Sequence, residues 1–299
     1  MHLAVPYFLA TGSPQGGVFS PRLGWIFSLL ALAICQLHAH GELDIRIAGL
    51  SRQIQTNSTD ARLFLERGEL HRLHLDWAAA TADFDRASSL DPNLVTVGLA
   101  RARLLADSGR ASDAREAYNR YLAQAPSDGM ALIERARLRA KGDELAALED
   151  YTRAIKLLPE PLPEYFIERT DLLVRLGKHA EAMAGLDEGL QRLGVIVTLQ
   201  SRAIELELDR KDFDEALRRL ETIIARAKRP ELWLEQQGQI LRQAGRTSQA
   251  LTSFQGSLQA VGKLPPRLQT TPQMESLKTR VGVAINELSV TNRPPNTNR

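Results

Sequence analysis

Residues Ala61–Pro92 read ARLFLERGELHRLHLDWAAATADFDRASSLDP, and the features of this stretch return downstream. Gly68, Ala80, Phe84, Ala87 and Pro92 come back as Ala102, Ala114, Tyr118, Tyr121 and Pro126, then as Ala136, Ala147, Tyr151, Ala154 and Pro159. The first return is at 34 residues, the second at 33 or 34. A period of this size governs the architecture, because each unit buries its apolar face only against its neighbours. Phe64, Gly68 and His71 share one helical face, and Ala80, Phe84 and Ala87 share another. This predicts a helix A over Ala61–Leu73 and a helix B over Trp77–Leu90. Asp91-Pro92 stops helix B, since proline has no N–H to donate and disfavours helix at the residue before it.

The small residues let the two helices approach closely, and the aromatic four positions after each alanine fills the space between neighbouring pairs. This combination of small residue, alanine, aromatic, second small residue and terminal proline resembles the tetratricopeptide repeat, over about Ala61 to Leu258. The alanine register continues as Ala182, Ala216 and Ala250, with turns at Leu176-Gly177-Lys178, Arg210-Lys211-Asp212 and Ala244-Gly245-Arg246. Glycine at such a turn supplies the left-handed residue that ends helix A. Repeat four departs, with Thr170 at the small position, Leu186 for the aromatic, and the stiff insert Pro159-Glu160-Pro161-Leu162-Pro163 before it. Repeat five has Ala203 one residue out of register and Leu220 for the aromatic; repeat six returns to form with Gly238 and Phe254.

The expected fold is therefore all-α: an α-α superhelix, or solenoid, of stacked helix-turn-helix repeats with a capping helix at each end. Six repeats fall at about 61–94, 95–128, 129–162, 163–195, 196–229 and 230–260. Leu43, Ile47, Leu50 and Ile54 form an N-terminal capping helix within 40–60, with Asn57, Ser58 and Thr59 ending it and capping the next. At the other end, Met274, Leu277, Val281, Ala284 and Ile285 share a face in a capping helix within 261–288. Residues 289–299, with Pro294-Pro295 and three asparagines, read as a disordered tail. The insert at Pro159–Pro163 is the expected soft joint.

Residues 1–39 read as a secretory signal peptide: Arg22, the apolar run Leu23–Ile34, and the small-residue exit Leu37-His38-Ala39. The run is short of the roughly 20 residues a membrane helix needs. An uncleaved inner-membrane anchor is the alternative, and Leu32-Ala33-Ile34-Cys35 falls short of a lipobox because Ile34 is not small. The expected location is periplasmic or secreted. Cys35 is the sole cysteine, which excludes an internal disulfide framework and a cysteine zinc site. With 38 basic against 36 acidic residues, no whole-molecule field points to nucleic acid. Aromatics make up 5% of the chain, which suits close-packed helices better than a β-sandwich.

Catalysis finds no motif: there is no glycine-rich phosphate loop, no Gly-x-Ser-x-Gly elbow and no His-Glu-x-x-His. The expectation is a protein that is not an enzyme and binds no cofactor. His71 and His74 stand one turn apart, and with His40 they are the candidate metal or copper ligands of a metal-handling alternative. Packing and helix capping are the competing roles for both. The resemblance implies that helix A lines a concave groove, faced by the residue after the small one and the residue four later. Those positions are Glu69 and Leu73, Arg103 and Asp107, Arg137 and Lys141, and Asp171 and Arg175. Arg103, Arg137, Lys141 and Arg175 form a basic strip suited to an acidic peptide or a free C-terminus, since arginine forks grip carboxylates. The competing reading is a solvated groove whose arginines pair with Asp107, Glu134 and Asp171. The function expected on this reading is an exported protein-interaction scaffold.

Overall fold

The computed structural model describes residues 41–291, and every regular element among them is a helix. The leader, Cys35, His40 and residues 292–299 lie outside the described residues. The chain divides into two compact units, Met1–Gln124 and Ala125–Arg299.

The first unit holds α1 (residues 41–56), α2 (Ala61–Leu73), α3 (Trp77–Leu90), α4 (Thr96–Asp107) and α5 (Ala111–Gln124). α2 packs against α3, and α4 against α5, each pair joined by a short turn. Ile54, Phe64, Phe84, Val97 and Leu104 meet in one apolar cluster with Ala80, Ala87 and Ala100. The repeat period has a steric cause here: a Cβ on Gly68 would stand 2.5 Å from Cε1 of Phe84. α1 lays Leu50 and Ile54 over the end of the stack, which a terminal repeat must shield from water. Residues 57–59, which follow α1, form a turn, so the cap of α2 is Asp60, whose carboxylate accepts from the Arg62 amide at 2.9 Å. Asp76 does the same for α3, accepting from the Ala79 amide at 3.0 Å.

The second unit holds α6 (Gly129–Arg139), α7 (Glu144–Leu157), α8 (Pro163–Arg175), α9 (His179–Leu193) and α10 (Val197–Asp209). It continues with α11 (Phe213–Ile224), α12 (Glu231–Gln243), α13 (Thr247–Gly262), α14 (Pro266–Gln269) and α15 (Pro272–Thr291). α6 to α13 pack as four consecutive pairs, and α15 lies on α13 and α12. Met274, Leu277 and Val281 are fully buried there, which closes the apolar end. α15 runs to Thr291, three residues into the stretch assigned to the tail.

The departures in repeats four and five have structural answers. Thr170, Leu186, Ala203 and Leu220 are all fully buried. In repeat four the bulky ring comes from helix A instead of helix B. Phe166 lies against Gly189, where a Cβ would sit 3.0 Å from its Cγ. The chain is clamped by a side chain just before it enters the proline insert. Arg192 donates to the carbonyls of Ile155 at 2.7 Å and Leu158 at 3.0 Å, holding the chain that enters it. The division between the compact units falls at Gln124 and Ala125, away from these prolines. At the turn of repeat five, Lys211 adopts φ 60° where Gly177 and Gly245 adopt 71° and 73°, so the left-handed position is kept without a glycine.

Candidate functional site

The charged residues of the helix-A faces are matched across neighbouring repeats. In the first unit, Glu69 accepts from Arg72 at 2.9 Å, and Arg72 also donates to Asp107 on the next helix A. Arg103 is half-buried on α4 and is itself engaged within the chain. Leu73 ends α2 and is exposed.

His71 and His74 do not converge. Nε2 of His71 lies 3.9 Å from Asp83, while Nε2 of His74, at the end of α2, lies 3.5 Å from Asp44. Each histidine faces its own carboxylate because the turn carries His74 off the helix face. Among the described residues no group of three or more His, Cys, Asp or Glu side chains is placed to hold a metal ion. The arrangement therefore gives the metal-handling alternative no support.

In the second unit, Arg137 and Glu168 make a fork from α6 to α8. Nε of Arg137 donates at 3.0 and 3.2 Å and Nη2 at 2.9 Å. The guanidinium also lies over the Tyr165 ring, 5.6 Å from its centroid. Burial works against its charge, but Glu168 outweighs that and holds the Arg137 pKa above its ordinary value. Burial, then the Glu168 charge, pushes the neighbouring Tyr151 phenol well above its usual range, so it stays a neutral hydrogen-bonding group. Tyr165 hydrogen-bonds through its hydroxyl to the sulfur of Met130 at 3.5 Å, which fixes the ring under Arg137. One repeat on, Asp171 accepts from Arg202 at 2.7 Å.

Arg175 donates to Glu144 at 2.8 Å and to the Ala140 carbonyl at 3.4 Å. Lys141 sits in the turn after α6, because the helix ends at Arg139; it is exposed and off the helix-A face. Within each unit the residues of the expected basic strip thus stand in a ladder of opposite charges, with Asp107 neutralised by Arg72 in the first unit and Asp171 by Arg202 in the second. Reading the sequence for cations alone missed Tyr165, Glu168 and Arg202. The signal was present: Arg137–Glu168, Glu144–Arg175 and Asp171–Arg202 are all opposite charges 31 residues apart.

A second series of pairs lies inside the repeats. Arg67 meets Asp83 at 2.6 Å, Arg135 meets Asp150 at 2.6 Å, and Arg169 meets Glu188 at 2.6 Å. In repeat six the same place is neutral, with Ser253 donating to Gln237 at 2.9 Å. These pairs fasten helix A to helix B.

Paired helices repeating at this interval define an all-α solenoid class, with no catalytic constellation in the faces described. Two tetratricopeptide-repeat models match the sequence, over residues 95–138 and 202–265, so the chain carries tetratricopeptide repeats in both stretches. The C-terminal part of a TPR repeat-containing protein from Cytophaga hutchinsonii has the same fold, with TM-score 0.59, 13% identity, and 79% of this chain and 94% of that one covered. A tetratricopeptide repeat protein from Parabacteroides merdae aligns with TM-score 0.49 and 17% identity, over 78% of this chain and 94% of that one. Pseudomonas aeruginosa pilF aligns with TM-score 0.49 and 13% identity, over 78% and 98%. No curated protein matches the sequence. Tetratricopeptide repeats serve in general as scaffolds for protein–protein interaction.

Proposed function

We propose that this chain is an exported, non-catalytic scaffold that binds a carboxylate-bearing segment of a partner protein on the helix-A face of its second unit. The observation that carries this reading is the state of Arg137. Its side chain is 37% exposed, stacked over Tyr165 and oriented by Glu168. Guanidinium has five donors, and Glu168 takes only those on Nε and Nη2. Tyr151 is a further hydrogen-bond partner of the guanidinium, whose exposed part meets an incoming carboxylate, either an acidic side chain or a free C-terminus. Because the guanidinium is already fixed, little side-chain entropy is lost on binding.

The test is a pull-down from the native organism with the full chain and its Arg137→Gln variant. Loss of partner capture with unchanged far-ultraviolet circular dichroism is expected. Unchanged capture would move the site away from this face, and Arg103→Glu then tests the first unit by itself. Export rests on Arg22, Leu23–Ile34 and Ala39 in the sequence. N-terminal sequencing of the mature protein should begin near His40; a chain retaining Leu23–Ile34 would make it a membrane-anchored assembly factor. No helix among the described residues is long and apolar enough to cross a membrane.

A further inference from the structure

A different surface of the second unit lies where two helix-B-to-helix-A connections come together, after α9 and after α11. A cavity of about 360 Å³ opens there, walled by Val197, Ile223 and Trp233. Its mouth carries Arg226, Lys228 and Arg229, and no carboxylate lines it. The volume is near the low end of clefts that take small ligands, roughly 300–1,000 Å³, and suits one side chain and a little backbone. Val197 is 44% exposed although its neighbours are apolar.

The charges at the mouth differ from those of the helix-A face. Arg137, Arg175 and Arg202 each have a carboxylate partner. Arg229 is likewise held by Glu231, at 2.7 Å from its Nε. Arg226 and Lys228 are exposed, and neither has an ion-pair partner among the described residues. Two unmatched cations beside an open apolar well call for a ligand with negative charge next to one bulky apolar group. Residues 1–40 and 292–299 contain no Asp or Glu side chain.

We propose that this cavity is a second docking site, for an acidic peptide segment of another protein that inserts one aromatic or branched aliphatic side chain. The inserted group fills the space between Val197, Ile223 and Trp233, and flanking carboxylates meet Arg226 and Lys228. Apolar anchors in such pockets dominate affinity, while rim charges set specificity and encounter rate. The site is independent of the Arg137 face and stands or falls separately.

A displayed library of random dodecapeptides, panned on the full chain and counter-selected on its Arg226→Glu/Lys228→Glu variant, tests this. Both positions are exposed, so the variant keeps the fold, and circular dichroism checks that it does. Peptides recovered only on the wild type should carry Asp or Glu around one bulky apolar residue. A synthetic copy, followed by fluorescence anisotropy, should bind the charge-reversed variant and Val197→Asp roughly tenfold or more weakly. Arg137→Gln should leave that affinity unchanged. The proposal is overturned if panning yields no wild-type-selective peptide, if the recovered peptides lack acidic residues, or if affinity ignores these substitutions. Cosedimentation with phosphatidylglycerol vesicles that depends on Arg226 and Lys228, with no peptide binding, would also overturn it and assign the site to an anionic lipid surface.

Discussion

Replacing Asp150 by alanine should be among the most damaging single changes in the second unit. The Asp150 side chain is 2% exposed and receives Arg135 at 2.8 Å through Nε and at 2.6 Å through Nη2. It also receives Arg139 at 3.0 Å. Arg135 is itself only 10% exposed at its side chain. Truncating the carboxylate takes away the two short charge-assisted hydrogen bonds that a buried guanidinium makes to it, a loss of about 3–5 kcal/mol. Arg135→Met should cost less, because Asp150 keeps Arg139 and the methionine keeps the apolar stem in place. The double variant Arg135→Met/Asp150→Ala should recover part of the loss, since the more deeply buried guanidinium is then gone and only the less buried Arg139 loses this carboxylate. Urea unfolding of the full chain followed at 222 nm reads this directly. With a slope of about 2–3 kcal/mol per molar, Asp150→Ala lowers the midpoint of the affected transition by roughly 1–2 M. A loss below about 1 kcal/mol, or an Arg135→Met variant as damaged as Asp150→Ala, would refute the stranded-charge reasoning.

Gly238→Ala should destabilise the second unit by about 1–2 kcal/mol: overpacking costs about 1–3 kcal/mol and exceeds the helix-propensity gain near 1 kcal/mol. A Cβ there would stand 2.6 Å from the fully buried Phe254 ring. Gly256→Ala, whose Cβ meets only Leu234 at 3.8 Å, should instead gain stability, and thermal melts of both variants compare the signs. Arg192→Met removes the donors to Ile155 and Leu158, so amide exchange over residues 156–162 should accelerate while that of α12 and α13 holds; uniform exchange would show that the guanidinium does not anchor the insert. Glu207 is pushed above the ordinary glutamate range by burial, with Arg219 pulling the other way. In that window the folded state binds more protons than the unfolded one, so this contribution to stability is full below the ordinary value and falls as pH rises through the raised one. Wild type minus Glu207→Gln, measured by urea unfolding at stepped pH, should show that decline; a flat difference would discard it.

Periodicity made the helices legible because burial follows it. Ala80, Ala114 and Ala147 repeat in sequence and are all fully buried. Ladder partners were harder to see, since an arginine on helix A faces both the previous and the next repeat. Arg72 pairs forward with Asp107, whereas Arg202 pairs back to Asp171. Repeat four carries Leu186 in place of the helix-B aromatic and packs Phe166 of helix A, in the register of Phe64, against Gly189, a substitution that following the helix-B position alone does not reveal. The helix cap was misplaced because Asn57, Ser58 and Thr59 are all good capping types, and only the turn geometry selects Asp60.

The ladder also gives each repeat an address. On its helix A, repeat four shows Glu168 to the arginine of repeat three and Asp171 to the arginine of repeat five. A second copy of repeat four placed after the first would set Asp171 against another Glu168, and like charges would meet where a pair now stands. Repeats that share a shape but not a charge order resist shuffling, so nascent chains are steered away from joining the wrong neighbours.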